Sequence, residues 1–272
     1  MNKKLLRLLL LSFTFFFPAP LFAQGDLMIM PKRLVFDGSQ RSQEINLANT
    51  GSDTAVYAVS FVNYKMTEEG NFEQVEEAED GQRFATDFLR YFPRRVTLAP
   101  NEAQTIRVQL TRTGNLEQGE YRSHMYFRAV EEQTALGAEE AEDAEGISIN
   151  IKTIFGISIP VIIRHGASTT SLELRDLELA LSGEQPALSL GIFRSGNMSV
   201  YGNLIAEHIS TSGKITEVGT VKGVSVYTPN AHRKFRFELR NAKEVDLTNG
   251  KIRVTYADEK GEQLATAEKA LP

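Results

Sequence analysis

Between residues 146 and 164 the chain alternates. Ile147, Ile149, Ile151, Phe155, Ile157 and Ile159 fall on one parity, and Ser148, Asn150, Lys152, Gly156 and Ser158 on the other. A period of two marks a half-buried strand. The strand predicted over 147–164 is far longer than the usual length of roughly 5–6 residues. Just upstream, residues 131–145 carry Glu131, Glu132, Glu139, Glu140, Glu142, Asp143 and Glu145 with no Lys or Arg. Like charges at that density repel one another and solvate, which predicts a loop without fixed structure. A long strand with one apolar face beside such a loop is poorly guarded against pairing with another chain. Strand donation to a partner uses an element of this kind.

The same alternation runs through the rest of the chain. Leu27 and Ile29, then Leu34 and Phe36, lead into an Asp37-Gly38 turn. Ile45 and Leu47 mark a strand over 43–48 that ends at Asn49-Thr50-Gly51, and 55–64 reads as a strand near a sheet centre. Glu69-Gly70-Asn71 is a hairpin turn, and 73–83 an exposed acidic connection. Residues 84–92, with Phe88, Tyr91 and Phe92 as the apolar side, fit a short helix or a strand, and Pro93 stops either. Strands follow at 95–98 and 103–111, and over 121–130 Tyr121, Ser123, Met125, Phe127 and Ala129 share one face. After the polar stretch 164–170, strands are expected near 171–181, 187–194, 200–210, 214–227, 233–240, 250–257 and 262–269. Regular strands separated by turn signals predict an all-β chain of two sandwiches in tandem, 24–165 and 166–272.

Composition supports two cores. The chain has 272 residues, 42% hydrophobic and 24% charged, with a formal net charge of -5. At the N-terminus Lys3, Lys4 and Arg7 precede an apolar run over 8–17. Pro18 and Pro20 break that run, and Ala23 offers a small residue before Gln24. This is the pattern of a cleaved secretory signal over 1–23, and the run is shorter than the roughly 20 residues a membrane span takes. Removing those cations leaves the chain still more acidic, which disfavours nucleic-acid binding. No stable membrane insertion is expected. The chain has no Cys, so an exported sandwich of this sequence is held by packing rather than disulfides.

Candidate chemistry is sparse. His124, His165, His208 and His232 lack metal-ligand spacing, and no nucleophile elbow, Walker loop or dinucleotide fingerprint occurs. Carboxylates crowd the acidic loop, and no glycosidase-type pair is marked. No enzyme activity, metal or cofactor is expected. Two cations draw notice: Arg33, which opens a strand, and Lys152, on the polar parity of the long strand. If the two strands meet, the pair is able to hold a carboxylate through charge-assisted hydrogen bonds. If they do not, both are solvated surface residues.

Several stretches together resemble one family. These are Arg33-Leu34-Val35-Phe36-Asp37-Gly38-Ser39, a strand ending in Asn49, and Thr97-Leu98-Ala99-Pro100 before Ile106-Arg107-Val108. Gly119-Glu120-Tyr121-Arg122 before Tyr126-Phe127-Arg128 and the Ile147 strand complete the set. Over most of 27–164 the order and spacing resemble the N-terminal domain of PapD-like periplasmic pilus chaperones. The second half resembles them in architecture only. The resemblance implies two immunoglobulin-like domains in a boomerang. It also implies a periplasmic protein that binds exported pilin-like subunits and passes them to an outer-membrane usher. Carried over, Ile147, Ile149 and Ile151 are donor-strand residues, and Arg33 binds the subunit's C-terminal carboxylate. The family's second basic residue aligns with Gly156, leaving Lys152 as the substitute. Two other readings stay open: a structural or adhesive envelope protein of Ig-like domains, and an exported carbohydrate-binding or hydrolytic sandwich. The absence of Trp weakens the latter.

Overall fold

The computed structural model describes residues 27–130, 155–181, 185–242 and 245–271. The first half contributes β1 (Leu27–Met30), β2 (Leu34–Phe36), β3 (Ser42–Asn49), β4 (Ala55–Val62), β5 (Tyr64–Met66), β6 (Phe72–Gln74), β7 (Leu89–Phe92), β8 (Arg95–Leu98), β9 (Ala103–Leu110), β10 (Gly119–Val130) and β11 (Gly156–His165). The second contributes β12 (Ser171–Ala180), β13 (Ala187–Ser195), β14 (Val200–Ile209), β15 (Ile215–Val226), β16 (His232–Glu238), β17 (Lys251–Asp258) and β18 (Gln263–Ala270). The strands expected after residue 170 are found within a residue or two.

Each half folds as two sheets around its own core. In the first, the sheet β1-β3-β9-β7 faces the sheet β2-β11-β10-β4-β8. Phe36, Ile45, Leu47, Leu98, Ile106, Met125 and Phe127 fill the space between, joined by Ile159, Val161 and Ile163 from β11. In the second, β12-β13-β16 faces β15-β14-β17-β18 around Leu188, Ile192, Leu204, Val218, Val254 and Tyr256. The alternation read from the sequence is the cause: every second side chain leaves water for one shared interior. The turn after β3 is fixed by Asn49, whose amide nitrogen donates to the Asp53 and Leu98 carbonyls (2.7 and 3.0 Å) while its oxygen accepts from Gly51 N–H.

The ambiguous stretch 84–92 splits in two. Thr86–Phe88 is a single 3-10 turn and Leu89–Phe92 is strand β7. The apolar side expected there is partly wrong, because Phe92 is 77% exposed while Leu89 is buried. Alternation along β7, set by pairing with β9, overrides the helical spacing of the aromatics. Among the described residues no helix is long and apolar enough to cross a membrane. The signal-like segment 1–23, the acidic loop 131–145 and Ile147, Ile149, Ile151 and Lys152 lie outside the described residues.

The β5–β6 hairpin leaves the first sandwich and docks on the second. Lys234 N–H donates to the Glu68 carbonyl at 2.7 Å, and the Asn230 amide to the Met66 carbonyl at 2.6 Å. Met66, Ile162 and Tyr227 form a small apolar cluster between the halves. The hairpin and this cluster close one side of an interdomain cleft.

Candidate functional site

The cleft floor is the outer face of β2, β11 and β10. β2 runs parallel to β11, with Leu34, Val35 and Phe36 opposite Val161, Ile162 and Ile163. β10 runs antiparallel, with His124, Arg122 and Glu120 opposite Pro160, Ile162 and Arg164. Ile159, Val161 and Ile163 of β11 enter the first core, so the even-numbered residues share their face with Glu120, Arg122 and His124. Arg33, one residue before β2, therefore comes beside Pro160.

Both faces of β10 are buried at this end. The core face holds Tyr121, Ser123 and Met125, and the cleft face holds Glu120, Arg122 and His124, each 4–5% exposed. The sequence reading recognised the first set and missed the second. Its one available signal was three ionisable residues at i, i+2 and i+4 within a strand. Their burial depends on a second sandwich whose position no local pattern encodes.

Glu120 joins the domains. Its side chain is fully buried and accepts from Arg164 Nε (3.1 Å), from Ser199 N–H (3.0 Å) and from the Ser199 hydroxyl. Arg164 also donates to the Ser199 carbonyl at 2.8 Å, and Thr228 N–H donates to Ser199 Oγ at 2.9 Å. A buried carboxylate is tolerable only with such complete compensation. Arg194 secures the adjoining loops by donating to the carbonyls of Gly196, Met198 and Asn230.

Arg33 lies in the cleft. Its guanidinium stacks 3.9 Å from the Tyr201 ring centroid, its side chain is 13% exposed, and its buried Nε has no acceptor among the described residues. Glu259, 64% exposed, stands 3.8 Å from Nη1. So loose and solvated an ion pair is worth little, and a better-placed carboxylate replaces it at small cost. Around Arg33 opens a cavity of about 710 Å³, lined also by Asp37, Arg164, Ser199, Tyr201 and Lys260. A second cavity of about 460 Å³, which shares Tyr201 as a wall, is lined by Tyr64, Phe72, His124, Pro160 and Tyr227. Burial and the neighbouring Arg122 push the His124 imidazole down to about 3, so it is neutral at physiological pH. Arg122 stacks 4.2 Å from the Tyr227 ring, and its Nε and Nη1 have no hydrogen-bond partner among the described residues. Burial lowers its pKa.

β11 is half-covered. β2 pairs only with Val161–Ile163, so nothing among the described residues pairs with that side of 156–160. Ala129 N–H donates to the Phe155 carbonyl at 3.0 Å. Antiparallel alternation then turns the backbone polar groups of Gly156 and Ser158 away from β10, toward the open side. The core parity also outruns the core: Ile159 is buried, but Ile157 and Phe155 are 39% and 48% exposed. Gly156 cannot be replaced simply by a cation, because the Tyr126 ring lies over it where a Cβ would stand.

Among the described residues no cluster of His, Asp and Glu suits a metal ion. No protein-family model and no curated protein matches the chain. Solved structures do. The CupB2 chaperone of Pseudomonas aeruginosa is 12% identical over 90% of this chain and 100% of its own, with a TM-score of 0.46. The E. coli chaperone DraB is 12% identical over 90% of this chain and 96% of its own, also at 0.46. The Salmonella enterica SafA pilin–SafB chaperone complex matches at 12% identity over 93% of this chain and 99% of the matched one, with a TM-score of 0.42.

Proposed function

We propose that this protein is a periplasmic chaperone for pilus- or fimbrial-type subunits. It is exported by a cleaved signal, captures unfinished subunits by donating β11, and delivers them to an outer-membrane usher. One juxtaposition carries the reading: a strand edge that has no partner among the described residues along 156–160 ends beside Arg33, whose buried Nε lacks an acceptor among them. An extended client segment pairing with the backbone of Gly156 and Ser158 gains ladder hydrogen bonds. Its terminal carboxylate then meets Arg33, where a charge-assisted hydrogen bond supplies the missing acceptor.

Phe155 and Ile157 supply the apolar side of the donor strand, and Ile147, Ile149 and Ile151 extend the same parity upstream. Each such side chain, buried in a client groove, contributes roughly 1.5–3 kcal/mol before ordering costs. The resemblance of the Arg33–Ser39 stretch to PapD-like chaperones supports the same roles. The competing reading, an adhesive or structural Ig-like protein, calls for this edge to be covered by the protein's own strands.

The test is Arg33→Ala. Tagged protein expressed in the periplasm with the exported subunits of its source should lose subunit capture, while its thermal unfolding stays within a few degrees of wild type. Undiminished capture would remove Arg33 from the site.

A further inference from the structure

We infer that the outer face of the β1-β3-β9-β7 sheet is a membrane-docking surface, by which the protein adsorbs to an anionic phospholipid bilayer. This goes beyond the chaperone reading and does not depend on it. Strand register defines the face. Phe92, Arg107 and Glu44 stand in one row across β7, β9 and β3, and Arg90, Gln109 and Ser42 in another. Met30 of β1 continues the face beside Asn46, and Met28 beside Ala48. The other parity of these strands, Leu89, Val108, Ile45 and Ile29 among it, is buried in the core, so this parity points outward. Phe92, Met28 and Met30 are 77%, 52% and 50% exposed there. Arg90 donates to the Leu89 carbonyl at 2.8 Å and has no carboxylate partner among the described residues. Arg107 meets Glu44 at 3.1 Å, in an exposed ion pair that is worth little.

The layout points to a lipid surface rather than to a protein. A protein interface has an apolar core inside a polar rim. Here the order is reversed. Met28 and Met30 lie on one edge strand and Phe92 on the other, roughly 14 Å away across three strand spacings, with arginine and small polar side chains between. Separate apolar side chains enter a bilayer interface one by one, with no complementary pocket required. The guanidinium groups between them reach headgroup phosphates, which they bind bidentately. The chain as a whole is acidic, with a formal net charge of -5, so adsorption depends on orientation. At physiological salt, charges more than about 8 Å away are largely screened, and the lipid feels the face in contact. The cleft floor is the outer face of the opposite sheet, so docking turns the cleft and the open edge of β11 toward the aqueous side. The contact is peripheral adsorption, not a span.

Protein recovered from the periplasm is mixed with sucrose-loaded vesicles of phosphatidylcholine, with or without one-third phosphatidylglycerol, and the sedimented fraction is read. It should bind the phosphatidylglycerol vesicles, bind pure phosphatidylcholine roughly tenfold more weakly or less, and be released by high salt. Arg90→Gln combined with Arg107→Gln should weaken binding roughly twentyfold, about fivefold for each cation near an anionic surface. Phe92→Ser should weaken it roughly fivefold or more. All three positions are exposed, so thermal unfolding should not shift. Arg95→Gln combined with Arg128→Gln removes the same charge from the outer face of the opposite sheet. That pair should leave binding within about twofold of wild type. Failure to bind phosphatidylglycerol vesicles overturns the proposal and leaves the face to a protein partner. Equal losses in the two arginine pairs overturn it too, since net charge rather than this face would then be responsible. Undiminished binding by Phe92→Ser, or equal binding to both kinds of vesicle, overturns it as well.

Discussion

Arg33 combines charge, burial and an unmet hydrogen bond. A guanidinium held against an aromatic ring is stabilised by roughly 0.5–2 kcal/mol, which keeps it ordered without neutralising it. Arg33→Lys retains the charge and loses the planar fork and the stacking. The expected outcome is client affinity reduced roughly tenfold or more, since charge-assisted hydrogen bonds contribute about 1.5–3 kcal/mol; side-by-side titration of the two proteins checks it. His124 makes a separate prediction. Its folded pKa, about 3, lies below the ordinary value of 6.5. Unfolding therefore takes up a proton between those values, and stability is lost as pH falls through that window, by at most about 1.4 kcal/mol per pH unit. Denaturant titrations at pH 7 and pH 5 should show a larger acid loss in wild type than in His124→Phe; equal losses would mean that His124 is not held neutral. Arg33 draws notice in the sequence through its Arg-Leu-Val-Phe-Asp-Gly-Ser run, and the structure places it in the cleft. Tyr201 and Glu259, which define its surroundings, were not legible there, because they lie in another domain and share no local pattern with it.

At the scale of the element, β11 is one alternating strand with two environments. Its odd residues Ile159, Val161 and Ile163 are core, and before them the same parity meets solvent. Ile157→Asp should leave the fold largely intact, because the position is already partly solvated. It should abolish client capture by placing an unpaired charge in an apolar groove. Co-purification yield against circular dichroism separates the two effects, and normal capture would place the donor surface elsewhere. The period of two made this strand visible at once, as it did the strands of the second half. It could not reveal where the protein's own core stops, because the parity is unbroken from Phe155 to Ile163 while burial begins only at Ile159. The stretch 84–92 was ambiguous for a related reason. Three aromatics at mixed spacing satisfy helix and strand alike, and only pairing with β9 decides between them.

At the scale of the whole molecule, the two sandwiches are joined by a buried polar lock rather than by the linker alone. Glu120, Arg164 and Ser199 bridge the cleft floor to the second domain, and the β5–β6 hairpin bridges its far side. Glu120→Ala should cost on the order of 3–5 kcal/mol, the scale for removing one partner of a buried ion pair. It should also broaden the distribution of interdomain distances seen by small-angle scattering or paired spin labels; an unchanged distribution would assign the lock no orienting role. This lock holds Arg33, Tyr201 and the open edge of β11 in one place, so that a single extended segment can reach all three. The most direct test of that account is amide hydrogen exchange at Gly156 and Ser158, in the free protein and in the complex recovered with its subunit. The account predicts fast exchange when free and strong protection in the complex. Equal exchange in both states would contradict it.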